Sequence, residues 1–314
     1  MTPIIPLNLI DYPNKIYIKR DDLLPFAFGG NKVRIAQEFI SDMKKQEKNC
    51  IIGYGSTRSN LSRALANICA SERIPCYIIS PTDDDGTRVE TSNSMLVKKC
   101  GAIVYECSKT NVAETVDEVM GVCHEAGLKP YYIYGNRLGN GNEIVPMNAY
   151  SKVYAEIAKQ SREMGINYDY IFLATGTGMT QSGLLIGKSI NHGSENIVGI
   201  SIARNAEMET ELIQKKIQTY ISVCGVIPKF DCEVIVDDSY LCGGYGISNE
   251  KIDDFIMKIY SYYGIPLDPT YTGKALYGSL DYLQKNRIKD KNVLFIHTGG
   301  TPLFFDYLLK VQND

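Results

Sequence analysis

The sequence of 314 residues has no tryptophan and only three histidines, His124, His192 and His297. So few imidazoles argue against a histidine metal site or a Ser-His-Asp triad. The nine cysteines give an odd count, and no two of them are spaced as Cys-x-x-Cys. They predict neither a disulfide framework nor a structural zinc site, and such cysteine usage is typical of the reducing cytoplasm.

The sequence also lacks a strong charge of either sign and a long apolar run. The formal net charge is -3, which gives no electrostatic basis for binding nucleic acid or an anionic membrane. No apolar run is long enough to span a bilayer. The first residues, Met1 to Pro6, lack the basic and apolar regions of a signal peptide. We therefore expect a cytoplasmic protein that binds neither nucleic acid nor membranes.

What the sequence does contain is a regular alternation of short apolar runs and helical patterns. This alternation predicts an α/β fold with parallel sheets covered by helices on both faces. The length suggests roughly two domains, and ligands of such sheets bind at the carboxyl ends of strands. An acidic run at 83–86 predicts a solvated loop. The predicted strands are 49–54, 75–80, 102–106, 131–134, 170–174, 197–203 and 293–297, and the predicted helices are 59–69, 95–100, 112–126, 151–164 and 182–190.

Lys32 is the first candidate functional residue. It follows Gly29, Gly30 and Asn31 and opens an amphipathic segment. Glycines let the backbone approach a ligand closely, and a lysine held in a dry pocket can lose its proton and form a Schiff base with an aldehyde. The alternative is an ordinary solvated lysine after a turn.

A second signal is the run Thr175-Gly176-Thr177-Gly178-Met179-Thr180, between an apolar strand and an apolar helix. Such a turn aims backbone N–H groups and a helix N-terminus at an anion, typically a phosphate. Gln181 replaces the third glycine of a dinucleotide fingerprint, and Leu184 replaces the P-loop lysine. The run therefore predicts a phosphate site that selects neither NAD nor ATP; a plain strand-to-helix turn is the alternative.

Four more polar or glycine-rich clusters punctuate the chain at 55–60, 243–246, 268–274 and 297–302. Each alone fits a loop or a helix cap. A lysine suited to a Schiff base, a phosphate site and threonines at strand ends together suggest pyridoxal phosphate, which needs an aldehyde anchor, a phosphate site and a partner for its ring nitrogen.

With these motifs in this order, the chain resembles the fold-type II pyridoxal-phosphate enzymes of the 1-aminocyclopropane-1-carboxylate deaminase and D-cysteine desulfhydrase group. The shared motifs run from Lys19 to about Tyr307: K-R-D-D-L, G-G-N-K-x-R, S-N, G-T-G-x-T, G-Y-G-I, D-P-x-Y-T-G-K-A and H-T-G-G-T-P. The resemblance implies a two-lobed, three-layer α/β/α fold like that of the tryptophan synthase β subunit. Residues 1–35 and 150–314 would form the large cofactor-binding domain and 36–149 an inserted small domain, in a homodimer with the cofactor in the interdomain cleft.

The resemblance also implies roles for individual residues. Lys32 would form the Schiff base and shuttle the substrate α proton, and Asn60 would hydrogen-bond the phenolic oxygen of the cofactor. Ser59 would contact the substrate carboxylate or act near the leaving carbon. The backbone and hydroxyls of Thr175 to Thr180 would hold the phosphate.

Four further residues would complete the site. Tyr245 and Tyr271 would face the substrate as acid/base groups, and Thr272 and Thr298 would lie near the pyridine nitrogen. The ring-opening deaminase typically has a glutamate where Thr272 stands. We therefore favour α,β-elimination on a small β-substituted amino acid such as D-cysteine, giving a 2-oxo acid, ammonia and the leaving group.

Departures from the family pattern leave the substrate open. Ile35 replaces a usual lysine, which removes a charged phosphate contact, and Leu303 replaces a small glycine. Arg58 and Leu61 replace a glutamine and a polar residue beside the carboxylate site, and an arginine there could grip a larger acidic substrate. Ring opening, β-replacement, racemisation and a non-catalytic binding role remain alternatives.

Overall fold

The structure is a computed structural model that describes residues 1–82, 86–225, 230 and 232–311. The predicted acidic loop lies outside the described residues, apart from Gly86. The strands are β1 Ile4–Leu7, β2 Lys15–Arg20, β3 Cys50–Tyr54, β4 Cys76–Pro81, β5 Ile103–Cys107, β6 Pro130–Tyr132, β7 Tyr170–Thr175, β8 Asn196–Ser201, β9 Ile235–Asp237 and β10 Asn292–His297. The helices are α1 Asn31–Lys45, α2 Asn60–Glu72, α3 Ser92–Lys99, α4 Val112–Glu125, α5 Val145–Met164, α6 Met179–Asn191, α7 Ala206–Cys224, α8 Glu250–Tyr263, α9 Thr272–Lys285 and α10 Thr301–Val311.

These strands form two sheets. The larger has the order β1-β2-β10-β7-β8-β9 and the smaller β5-β4-β3-β6. Within the described residues only β1 pairs antiparallel to its neighbour. All six residues of β4 are buried, as expected for a parallel strand covered on both faces. The α/β fold predicted from the sequence is confirmed.

The two sheets come from different parts of the chain. The smaller sheet uses strands between residues 50 and 132, and the larger uses strands before residue 21 and after residue 169. The inserted small domain with boundaries at 35 and 150 is consistent with this division but stays a prediction. In the part of the chain that the structure describes, no helix combines the length and apolar character needed to cross a membrane.

The predicted strands occur within two residues of their expected ends, whereas helix starts differ more. Helix α5 begins at Val145 rather than 151, because Pro146 stands in its first turn, where a proline costs no helical hydrogen bond. Helix α6 begins at Met179 rather than 182, so the predicted glycine-rich turn leads directly into its first residues.

Strand β2 carries a buried ionic cluster beside α1 and α5. Lys19 is fully buried; its Nζ contacts Glu156 and donates to Gln160 Oε1 at 2.6 Å. Arg34 Nη1 lies 3.0 Å from Glu156 Oε2, and its Nη2 lies 2.8 Å from Asp21 Oδ1. Burial alone would raise the pKa of Glu156, but hydrogen bonds from Arg34 and Lys19 hold it at about 2. This cluster ties β2 to α1, the helix that carries Lys32.

Glu156→Gln should lower the free energy of unfolding by roughly 3 kcal/mol at neutral pH, because it removes the carboxylate that buried Lys19 contacts and one of the two that Arg34 contacts. Glu156 titrates near 2 when folded and near 4.5 when unfolded, so its stabilisation is present above 4.5 and lost as the pH falls through 2. Urea titrations should therefore show that the difference in free energy of unfolding between wild type and variant decreases from pH 5 to pH 2.

The matched control is Asp117→Asn, which removes one member of an ion pair with Arg137 in which both side chains are 51% exposed. This change should alter stability by less than about 1 kcal/mol. A Glu156→Gln gap that stays constant from pH 5 to pH 2 would contradict this account of the cluster.

Candidate active site

A cavity of about 320 Å³ opens at the carboxyl ends of β2, β7, β8 and β10, and the start of α2 completes its wall. Parallel strands end at this edge, so loops from distant parts of the chain converge there. The volume is at the lower end of the range for cofactor and small-molecule sites. The lining residues are Asn31, Lys32, Asn60, Ala174, Thr175, Gly176, Thr177, Gly178, Thr180, Ile202, Ala203, Arg204, Tyr245, Tyr271, Thr298, Gly299 and Gly300.

Lys32 reaches the cavity through a tight turn between β2 and α1. Gly29 and Gly30 have φ values of +64° and +99°, which side chains rarely adopt. Gly30 N donates to Asp21 O at 2.8 Å, and Asn31 N donates to Thr298 O at 3.0 Å. A Cβ on Gly30 would lie 2.9 Å from Thr298 O, so the turn requires glycine to pack against the end of β10.

The environment of Lys32 favours an uncharged amine. Burial lowers the pKa of Lys32 to about 8, and no carboxylate contributes to this shift. An amine near this pKa is partly deprotonated at neutral pH and can act as a nucleophile or a base.

The glycine-rich turn forms another wall of the cavity, between β7 and α6. Gly178 is the N-cap of α6 with φ +71°, so the first N–H groups of the helix point out of its N-terminus beside the cavity. A Cβ on Gly178 would lie 2.8 Å from Ile213 Cγ1. Thr175 is buried, and its hydroxyl donates to Glu209 Oε1 at 3.1 Å. The arrangement presents backbone donors and a positive helix end, which suit a phosphate.

Arg204 adds a cation to this wall that the sequence analysis did not identify. Its Nη1 contacts Gly176 O and lies 3.3 Å from Glu209 Oε2. The Glu209 side chain is fully buried, and burial raises its pKa. Arg204 follows β8, which pairs with β7. The sequence could have indicated Arg204, because it directly follows the predicted strand 197–203 and ligands bind at the ends of neighbouring parallel strands.

Two tyrosines form the side of the cavity near α9. The hydroxyls of Tyr245 and Tyr271 contact each other, and their rings meet edge to face with centroids 5.9 Å apart. Burial, with Tyr245 as the next cause, raises the pKa of Tyr271 well above its usual range. Tyr271 therefore keeps its proton at neutral pH and can act as a proton donor.

Asp268 holds the Tyr271 loop in place. Its Oδ2 accepts hydrogen bonds from Thr270 N and Tyr271 N, each at 2.9 Å, and its Oδ1 accepts from the Thr272 hydroxyl at 2.8 Å. A Cβ on Gly300 would lie 2.4 Å from Asp268 Oδ1, so this carboxyl group also packs against the loop after β10.

Five predicted residues are not among those that line the cavity. The Thr272 side chain is fully buried, and its hydroxyl donates to Asp268 Oδ1. Ser59 caps α2 by accepting from Ser62 N at 3.1 Å. The side chains of Leu61 and Met179 pack against the hydrophobic core. The charge of Arg58 acts on Tyr271, but Arg58 stands outside the lining.

The other predicted site residues are brought together as expected, although their roles stay predictions. The structure also explains two departures from the family pattern, since Ile35 and Leu303 are both buried apolar residues. Lining residues missed by the sequence analysis include Ala174 near the end of β7 and Ile202 and Ala203 just after β8, which are apolar and carry no polar signal.

Comparisons with known proteins show what the chain is similar to. The family model described as "Pyridoxal-phosphate dependent enzyme" matches residues 1–299. A D-cysteine desulfhydrase of Salmonella paratyphi A is 29% identical over 310 residues, covering 96% of this chain and 91% of the relative. A D-cysteine desulfhydrase of Klebsiella pneumoniae strain 342 is 30% identical over 299 residues, covering 93% of this chain and 89% of the relative.

Solved structures are also similar to this chain over nearly its whole length. The chain is similar to a crystal structure of an ACC deaminase homologue, with a TM-score of 0.83 and 28% identity. That similarity covers 99% of this chain and 93% of the other. A hydrogen sulfide-producing enzyme from Fusobacterium nucleatum has a TM-score of 0.65 at 19% identity, which shows a shared fold.

The lowered pKa of Lys32 predicts unusual reactivity in cofactor-free protein. Trace acetylation across a pH series, read by peptide mass spectrometry, should show Lys32 reaching half its maximal reactivity near pH 8. Ordinary exposed lysines have a pKa of about 10.4 and serve as the internal control. If Lys32 titrated together with the exposed lysines, the desolvated environment assigned to it would be wrong.

Proposed function

The chain belongs to the pyridoxal-phosphate dependent enzyme family, and from this premise we propose that it catalyses α,β-elimination on a small β-substituted amino acid. D-Cysteine is the first candidate substrate. With one water consumed, its products are pyruvate, ammonia and hydrogen sulfide. The observation that carries the proposal is that Lys32, a glycine-rich turn at a helix N-terminus and the Tyr245–Tyr271 pair line one cavity.

The cavity residues fit this cofactor. Lys32 supplies an amine for its aldehyde, and the turn from Thr175 to Thr180 supplies backbone donors for its phosphate. Asn60 and Thr298 line the same cavity and would contact the ring. When bound, pyridoxal phosphate withdraws electrons from the α carbon of an attached amino acid.

Lys32 Nζ would take the proton from the substrate α carbon. An amine with a pKa of about 8 is near the ideal for a base at neutral pH, because it is partly free yet still basic. Its position on the first turn of α1, fixed by the Gly29-Gly30 turn, would orient it toward the reacting carbon.

Tyr271 would donate a proton to the departing sulfur. Its raised pKa keeps the hydroxyl protonated, and the adjacent Tyr245 hydroxyl can supply or receive the same proton. Ser59 and Arg58 remain candidates for the carboxylate side, because both belong to the loop that ends at Asn60.

The substrate assignment is supported by the D-cysteine desulfhydrases that are 29% to 30% identical over nearly the whole chain. Ring opening of 1-aminocyclopropane-1-carboxylate is the second candidate, favoured by the similarity to the ACC deaminase homologue. A homodimer, which the resemblance implies, and a cytoplasmic location, which the cysteine usage indicates, are further proposals.

The activity test offers D-cysteine, L-cysteine and 1-aminocyclopropane-1-carboxylate separately to the cofactor-loaded enzyme. We expect D-cysteine to give pyruvate, ammonia and sulfide in equal amounts, at a rate that an added thiol does not change. Tyr271→Phe should slow the reaction by about 10²-fold or more while the cofactor stays bound, as expected for loss of a general acid.

Other products would redirect the proposal. Formation of 2-oxobutanoate from the cyclopropane substrate alone would favour the deaminase reaction. Incorporation of the added thiol into a new amino acid would favour β-replacement. Full activity of Tyr271→Phe would remove Tyr271 from the mechanism.

Arg204 lines the cavity beside the phosphate-binding turn and would donate a charge-assisted hydrogen bond to the phosphate, so Arg204→Met should weaken pyridoxal 5'-phosphate binding by about tenfold or more. Pyridoxal, which lacks the phosphate, should bind both proteins within about twofold. Equilibrium titration of cofactor-free protein with both ligands measures the difference. Arg137→Met, at an exposed pair, is the control. Equal losses for both ligands would show that Arg204 does not contact the phosphate.

A further inference from the structure

Arg63 is a buried arginine without a carboxylate partner. It is only 1% exposed, on the face of α2 behind Asn60. Its Nη2 donates to Asn60 Oδ1 at 3.0 Å and to Gly29 O at 3.3 Å. Its Nε and Nη1 are buried with no hydrogen-bond partner among the described residues. Burial lowers the pKa of Arg63 to about 10, and no neighbouring charge contributes to this shift.

An unpaired guanidinium in this position is costly. Burying a charge without a partner is strongly unfavourable, and arginine cannot relieve the cost by losing its proton at neutral pH. Lys19 and Arg34 differ from Arg63, since both contact Glu156. The charge of Arg63 is therefore available to a negative group outside the described protein atoms.

The hydrogen bonds of Arg63 also fix how Asn60 faces the cavity. A guanidinium can only donate, so the atom of Asn60 that meets Arg63 is the oxygen. Asn93 Nδ2 donates to the same oxygen at 3.1 Å. Asn93 Nδ2 also donates to Arg58 O at 3.0 Å, and because a carbonyl can only accept, this bond fixes the Asn93 amide as well.

Two donors on Asn60 Oδ1 leave its N–H groups for the cavity, which Asn60 lines. Asn60 would therefore offer donors to an acceptor atom, with the positive charge of Arg63 directly behind. An acceptor that carries negative charge gains most from this arrangement, because charge-assisted hydrogen bonds in a site of low dielectric are strong.

We propose that Arg63 is a positioning residue that holds the Asn60 N–H groups toward the cavity and stabilises negative charge on the cofactor ring oxygen bound there. The inference rests on the proposed function, since it assigns the ligand atom to pyridoxal phosphate. Through Gly29 O, the Arg63 side chain also links the start of α2 to the turn that carries Lys32. Arg63 would therefore support both Asn60 and Lys32, the two residues that would contact the cofactor.

The test compares two ligands that differ only in this atom, pyridoxal 5'-phosphate and its 3-deoxy analogue. Cofactor-free full-length protein is titrated with each, and the ratio of their dissociation constants is measured. Arg63→Gln should reduce the preference for pyridoxal 5'-phosphate by about tenfold, because it removes the positive charge behind the Asn60 amide that strengthens its hydrogen bond to the ring oxygen. Arg63→Lys, which keeps the charge, should restore part of the preference.

Leu65→Ala is the matched control, because Leu65 is fully buried in the same helix and carries no charge. It should destabilise the fold yet leave the ratio unchanged. Asn93→Ala should lower the preference for pyridoxal 5'-phosphate by a smaller factor, since Asn60 Oδ1 then loses one of the two donors that orient it. If the Arg63 variants do not fold, the ratio measured with Asn93→Ala tests the proposal instead.

The outcomes separate the two proposals. Binding of both ligands with a ratio that Arg63→Gln leaves unchanged would overturn the role of Arg63 alone. A wild-type chain that binds neither ligand would overturn the proposed function and this inference together.

Discussion

The cavity depends on one close approach of backbone, where the turn before Lys32 packs against the loop after β10. A Cβ on Gly299 would lie 2.5 Å from Gly30 Cα, and a Cβ on Gly29 would lie 2.2 Å from Asp22 O. The strands that lead into these two loops, β2 and β10, are parallel neighbours, so their carboxyl ends bring the loops together. Because Asn31 N and Gly30 N are bonded to those strand ends, α1 starts at one defined point and Lys32 faces one defined direction. Side chains at these glycines would force the loops apart and displace the amine.

The distribution of buried charge distinguishes the support of the site from the site itself. Below the cavity, Lys19 and Arg34 are neutralised by Asp21 and Glu156, and the cluster fixes β2 against α1 and α5. Around the cavity, the described residues leave Lys32 and Arg63 without a carboxylate, and burial shifts both pKa values downward. The helix end at Gly178 adds positive potential without a formal charge. A helix N-terminus and a guanidinium that contacts no carboxylate suit a ligand with a negative phosphate and a negative ring oxygen.

The sequence predicted the parallel sheets well, because strands buried on both faces appear as short apolar runs between helical patterns. It did not predict β2, whose buried Lys19 is stabilised by Thr2 O and by Glu156 and Gln160, which lie far along the chain. Arg63 and Arg204 escaped notice for a related reason. Neither lies in a recognisable motif, and their importance depends on which atoms surround them: Asn60 and Gly29 for one, Gly176 and Glu209 for the other. Local patterns indicate the ends of strands, but the partners of a charge are set by tertiary packing.

The proposed chemistry requires Lys32 to be the residue that holds the cofactor. The most direct test is a visible absorbance spectrum of the protein with pyridoxal phosphate, followed by borohydride reduction and mass mapping of the modified peptide. We predict a visible band that disappears on reduction and a single stable adduct on Lys32, with neither in Lys32→Ala. An adduct on another lysine, or an unchanged spectrum in Lys32→Ala, would contradict the central claim.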